Sequence, residues 1–154
     1  MLRLALALIA LTVGTVAPGH AETPAALCRR IGTDDTLRPI PESLVPAVNA
    51  VFGTTMPART AIDTTVFRCA NGDVLACTTG ANLPCGAANT SRTPTEGAID
   101  WCRAQPDAAF IPAVATGHDT IFAWRCQRGA PHIVRAIAIV DARGFIARYW
   151  RELH

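Results

Sequence analysis

The chain has 154 residues, half of them hydrophobic, and sets 14 arginines and no lysine against 12 acidic residues. That near balance argues against a general nucleic-acid or membrane-surface binder, which would be more basic, and the missing lysine rules out Schiff-base and phosphate-loop lysine chemistry. The only serines, Ser43 and Ser91, sit in no Gly-x-Ser-x-Gly turn, which removes the usual serine-hydrolase elbow.

The chain opens with Arg3, an apolar run from Leu4 to Val16, a break at Pro18-Gly19, and the small-residue triplet Gly19-His20-Ala21. This order predicts a secretory signal peptide over residues 1–21, too short to span a bilayer, and a mature domain over 22–154 that meets no membrane after cleavage. All six cysteines (Cys28, Cys69, Cys77, Cys85, Cys102 and Cys126) follow the cleavage point. An oxidising compartment and structural disulfides follow from that placement. No two cysteines form Cys-x-x-Cys, so neither a thioredoxin-like site nor a zinc site is indicated. Spacing alone does not choose among the possible pairings.

Pro24–Ile31 predicts a short helix carrying Cys28, followed by a turn at Gly32-Thr33-Asp34-Asp35. Pro41–Phe52 predicts a second helix, with Pro41 in its first turn, an apolar stripe of Leu44, Val45, Val48, Val51 and Phe52, and Gly53 as its stop. Thr64–Thr78 predicts a hairpin about Asn71-Gly72, the strongest short hairpin signal. In that register Phe67, Cys69, Val74 and Ala76 share one face and Arg68 and Cys77 the other, so Cys69 and Cys77 do not bond to each other.

Thr79–Arg92 is a polar loop pinned by Cys85. Thr93-Pro94-Thr95-Glu96 reads as a capping box opening a helix that runs toward Gln105-Pro106, with Ile99 and Cys102 on one face. Thr120–Gln127, His132–Val140 and Phe145–Glu152 predict a C-terminal antiparallel meander with the middle strand at its centre. The expected fold is therefore α+β: an antiparallel sheet of about five strands, hairpin plus meander, with two or three short helices, stapled by disulfides.

Three groups of residues are candidates for function. His118-Asp119 could supply a general base, although neighbours on an extended strand face opposite ways. A type I turn with a bulge at Asp141–Gly144 would set Arg135 opposite Arg151, flanked by Ile137 and Tyr149. Two opposed guanidinium groups call for an anion between them. Residues 120–154 hold six arginines against two acids, which makes this the basic end of the chain. The 79–92 loop adds Asn82, Asn89 and Arg92 as polar contacts.

The strings Thr79-Gly80-Ala81-Asn82-Leu83-Pro84-Cys85-Gly86, Thr116-Gly117-His118-Asp119-Thr120 and Val140-Asp141-Ala142-Arg143-Gly144-Phe145 resemble those of small secreted bacterial proteins with no assigned function. That resemblance implies no activity. Phe67-x-Cys69-x-x-Gly72, repeated at Trp124-x-Cys126-x-x-Gly129, is similar to a stretch of the periplasmic C-type lysozyme inhibitors, which are small disulfide-bonded β-barrels. The serine- and tyrosine-containing inhibitory motif of that family is not evident.

These features predict a periplasmic or secreted, non-catalytic binding module with no cofactor and no metal. Its ligand would be anionic, or its partner an acidic protein surface. The alternatives are an inhibitor of a wall-degrading enzyme that uses the Cys85 loop, and a small hydrolase that uses His118.

Overall fold

The computed structural model describes residues 22–80 and 84–154; the expected signal peptide and Asn82 lie outside the described residues. Helix α1 (Pro24–Ile31) leads into strand β1 (Asp34–Pro39), then α2 (Val45–Phe52), α3 (Ala58–Thr64), the hairpin β2 (Thr65–Ala70) and β3 (Asp73–Thr78), α4 (Glu96–Ala104), the single turn α5 (Ala113–Thr116), the hairpin β4 (Phe122–Gln127) and β5 (Ala130–Ala136), and β6 (Arg151–Leu153). The fold is α+β. One antiparallel sheet runs β1-β2-β3-β6, and β4-β5 forms a second, two-stranded sheet.

The β2–β3 hairpin has the expected register, with Ala70 opposite Asp73 and Cys69 opposite Val74. Asn71 and Gly72 both take positive φ, 55° and 92°, the backbone twist that a two-residue hairpin turn requires. The Phe67, Cys69, Val74 and Ala76 face is buried with Cys28 of α1, Val45 and Val48 of α2 and Ala61 of α3. The helix expected over Pro41–Phe52 begins as a 3-10 turn at Glu42–Leu44 and becomes α-helical at Val45, with Pro46 in its first turn. It ends at Gly53 in the left-handed region.

Three expectations are corrected, and one helix is added. The turn expected at Gly32–Asp35 instead leads into β1. Its start is held to the hairpin tip by Gly72 N–H donating to Gly32 O at 2.9 Å and Asn71 N–H donating to Thr33 Oγ1 at 3.0 Å. One helix had no counterpart in the sequence reading: Ala58–Thr64, whose last residue was expected to open the hairpin. The cap of α4 is Thr95, not Thr93: its hydroxyl accepts from Ala98 N–H and donates to Ala115 O, so one oxygen both starts the helix and ties it to α5. The meander does not form. Val140 does oppose Ile146, as the turn predicts, but pairing stops there. A 3-10 turn at Ala147–Tyr149 redirects the chain, Trp150 enters the interior, and β6 pairs with β3 rather than with β5. Burial of the large indole outweighs continuation of an edge ladder.

Three apolar clusters make the interior, and each holds one disulfide. Cys28–Cys69 ties α1 to β2, Cys77–Cys85 closes the start of the polar loop, and Cys102–Cys126 ties α4 to β4. On the hairpin face turned away from the helices sits Arg68, only 1% exposed. Its guanidinium lies 4.2 Å from the Phe145 ring centroid and 4.6 Å from that of Trp150. It donates to Asp35 Oδ1 at 3.3 Å and to Asp141 Oδ2. Arg143 in turn donates to Asp35 Oδ2 at 2.6 Å. A buried cation persists only when paired in this way, because its desolvation is otherwise too costly.

Burial tends to raise the Asp141 pKa, but the N–H groups of Phe145 and Arg143 and the charge of Arg68 outweigh it, so the value lies below the ordinary 3.8. The stabilisation from this carboxylate is therefore complete above the ordinary value and is lost as pH falls through the depressed one.

Two outcomes follow. Digestion of the oxidised protein with trypsin and Asp-N, without reduction, should give Cys28 joined to the fragment holding Cys69, an internally bonded 73–92 fragment, and Cys102 joined to Cys126. Cys28 attached to the 73–92 fragment would contradict the pairing. Asp141→Asn keeps the acceptor for the turn N–H groups but removes the charge facing Arg68. It should cost about 2 kcal/mol in urea unfolding at neutral pH, and the difference from wild type should shrink as pH drops below 3.8. A difference that stays constant through the acid range would overturn the assignment.

Candidate functional site

The 3-10 turn and the first residue of β6 bring Arg148, Tyr149 and Arg151 to one wall of a groove of about 460 Å³. Phe52 at the end of α2, Met56, and the hydroxyl-bearing Thr54, Thr78 and Thr79 line the rest. The bend that presents Met56 is built by Asn49. Its amide donates to Met56 O at 2.9 Å, and its carbonyl accepts from Met56 N–H at 3.0 Å and from Thr54 Oγ1 at 2.8 Å.

Both guanidinium groups are anchored by backbone acceptors rather than by carboxylates. Arg148 donates to Ile137 O at 3.0 Å and to Tyr149 Oη at 3.1 Å, with its Cζ 5.1 Å from the tyrosine ring centroid. Arg151 donates to Arg148 O at 2.8 Å and to Trp150 O at 3.2 Å. Among the described residues neither has a carboxylate oxygen within 4 Å, whereas six other arginines do. Each guanidinium has five N–H donors, so both keep unused ones. The threonine hydroxyls are already committed: Thr54 to Asn49, Thr79 to Thr64 O at 2.9 Å, and Thr78 to Thr65 at 3.0 Å. The groove thus offers positive donors above an apolar floor.

Arg148 also borders two further concavities. One, of about 280 Å³, is shared with His118, Phe110, Ile137 and Tyr149; the other, of about 500 Å³, with Arg135, Ile137, Ile139 and Ala147.

Of the residues singled out in the sequence, Tyr149 and Arg151 meet in the groove. Arg135 does not oppose Arg151: it pairs with Ala123 on β4, while Arg151 pairs with Ala76 on β3, because the chain leaves β5 at the 3-10 turn. The two sit in different sheets, and Arg148 is the residue that borders both of their cavities. Arg92 is elsewhere, with its Cζ 5.3 Å from the Phe122 ring centroid. His118 is exposed at the rim of the 280 Å³ cavity, with no hydrogen bond to its ring among the described residues. Asp119 is used by its backbone, whose carbonyl accepts from Asn89 N–H at 2.8 Å. The 79–92 loop is stitched to the body from Ala87 onward by bridges Ala87–Phe145 and Asn89–Thr120.

Arg148, Phe52, Thr54 and Met56 were missed. The Arg148-Tyr149-Trp150-Arg151 spacing was a usable signal, since one tight turn can put the two arginines on one side; nothing local marked the other three. Among the described residues no cluster of three or more His, Cys, Asp or Glu side chains could hold a metal ion, and no helix is long and apolar enough to cross a membrane. Compared with known proteins, the chain matches no family model, no curated protein and no solved structure.

Gly117 shapes the His118 segment. Its φ is 91°, and a Cβ there would sit 2.7 Å from Asp119 Oδ1. Gly117→Ala should therefore cost about 1–3 kcal/mol, and His118→Ala less than about 0.5 kcal/mol, both read by urea unfolding. The reverse order would mean that the imidazole is a structural anchor.

Proposed function

We propose that this protein is a non-catalytic binding module of the periplasm or the extracellular space, and that its ligand is an amphiphilic anion seated in the Arg148–Arg151 groove. One observation carries the reading: two arginines, anchored to backbone carbonyl groups and with no carboxylate oxygen within 4 Å among the described residues, line the groove with Phe52 and Met56. Such an arrangement suits a carboxylate, sulfonate or phosphate head with an apolar body. The groove volume falls in the range of roughly 300–1,000 Å³ common for small-molecule sites. The secreted setting is supported by three disulfides that leave no cysteine free.

Catalysis by His118 is less well supported, since a general base needs a partner that orients it. Inhibition through the Cys85 loop needs a free projecting segment, and residues 87 and 89 are bridged to the body.

Decanoate is a suitable first probe, followed by the fluorescence of Trp150 beside Arg151 or by calorimetry. Decanoate should bind saturably, decyltrimethylammonium should not, and Arg148→Ala and Arg151→Ala should each weaken decanoate about tenfold, the value of one charge-assisted hydrogen bond. Equal binding of the cationic amphiphile, or indifference to both substitutions, would sink the proposal.

A further inference from the structure

The β4–β5 sheet has two edges, and they differ. The outer edge of β4 is covered by the 108–111 segment: Ile111 N–H donates to Trp124 O at 2.9 Å and Cys126 N–H to Ala108 O at 2.8 Å. The other edge, β5, has β4 as its only strand partner among the described residues. Beyond Ala136 the backbone meets its own partners, Ile137 O accepting from Arg148 at 3.0 Å and Ile139 O from Ala147 N–H at 3.0 Å, while apolar side chains along it face water. Val134 is 53% exposed, Ile137 37% and Ile139 81%. An open edge with exposed aliphatic side chains is a template for another strand; here it is confined to β5, where Pro131 offers no N–H and Val134 bulges out of the ladder.

The charge on this strip has one sign. Residues 130–140 contain no acidic residue. The register sets Arg125 opposite His132 and Ala123 opposite Arg135, with Val134 as the extra residue of a bulge. Residues directly opposed in an antiparallel pair share a face, so Arg125, His132 and Arg135 lie on one face of the hairpin. The face opposite theirs is packed on α4, where Trp124 and Cys126 join Ala98 and Cys102. At the strand's end, the 500 Å³ concavity lies between Arg135 and Arg148 and is floored by Ile137 and Ile139.

We infer that the open edge of β5 docks an extended acidic segment of another protein as an added strand, with aliphatic side chains over Val134 and Ile139 and a carboxylate between Arg135 and Arg148. Main-chain hydrogen bonds supply affinity in this mode, and side-chain pockets supply selectivity. A second copy of the chain is a poorer occupant. Antiparallel self-pairing of β5 would bring Arg135 and His132 toward their counterparts with no acid on the strand to compensate, and opposed like charges are unfavourable. An acidic partner turns the same charges into attraction. This site shares Arg148 with the amphiphile groove but has Arg135 where the groove has Arg151.

The test is fluorescence anisotropy with a labelled, acetylated octapeptide of alternating Val and Glu. The peptide should bind saturably at low salt. Binding should fall at least tenfold with Arg135→Glu, an exposed change that spares the core, and also with the same peptide N-methylated at alternate amides, which cannot pair as a strand. Arg151→Ala should leave it unchanged. Absence of binding, equal binding of a Val–Lys octapeptide, or indifference to N-methylation would overturn the inference. So would loss of binding in Arg151→Ala, which would place the peptide in the other groove, or sedimentation showing that a second copy already occupies the edge.

Discussion

The buried guanidinium of Arg68 is the contact on which the rest of the structure depends. It is contributed by the middle of β2, yet its partners come from β1 (Asp35), from the turn after β5 (Asp141 and Phe145) and from the entry to β6 (Trp150). A cation removed from water at this depth must recover its solvation from fixed partners, and the two carboxylates and two aromatic faces are those partners. Segments far apart in the chain are thereby held to one point. Arg143, bound to Asp35, closes the cluster on its outer side. The direction in which the chain leaves Phe145 is set here. That direction carries the 3-10 turn, and with it Arg148 and Arg151, to the mouth of the groove.

Around this point the interior is divided. The helices α1, α2 and α3 cover one face of the larger sheet, α4 covers the β4–β5 hairpin, and a small cluster of Phe145, Trp150 and the Cys77–Cys85 bridge lies between. None of the three is large, and small cores bury too little surface to be secure alone. Each has a disulfide of its own, which restricts the unfolded chain where burial contributes least. The same division leaves concave surface between the clusters. The amphiphile groove lies where α2, β3 and β6 converge, and the basic cavity lies where β5 ends against Ala147 and Arg148. Arg148 stands between them, so the two proposed sites are neighbours that differ in ligand and in the arginine each adds.

Much of the local structure was legible. Asn71-Gly72 specified its hairpin and register because only a few residues tolerate positive φ in succession. Pro24–Ile31 and the stripe ending at Gly53 gave their helices through spacing and a stop signal. The separation of Cys69 from Cys77 followed from the alternation of a strand. Of the candidate site, Tyr149 and Arg151 were singled out for a pairing with Arg135 that does not exist; the structure lines a groove with the first two and leaves Arg135 in the other sheet. The ladder expected to continue from Val140–Ile146 stops after that one bridge. Trp150 had a core to enter, and no local signal revealed that core.

By itself, the sequence determined the oxidisable cysteine framework, the local turns and caps, the α+β class and the excess of arginine near the C-terminus. Each of these depends on neighbours a few residues apart or on composition. Only the tertiary structure decided which cysteines pair, that β6 joins β3, and which arginines are spent on carboxylates and which are left free. Those outcomes depend on desolvation: Arg68 and Trp150 had to find partners contributed by remote segments, and once they had, Arg148 and Arg151 were carried to a wall where no carboxylate of the described residues reaches them.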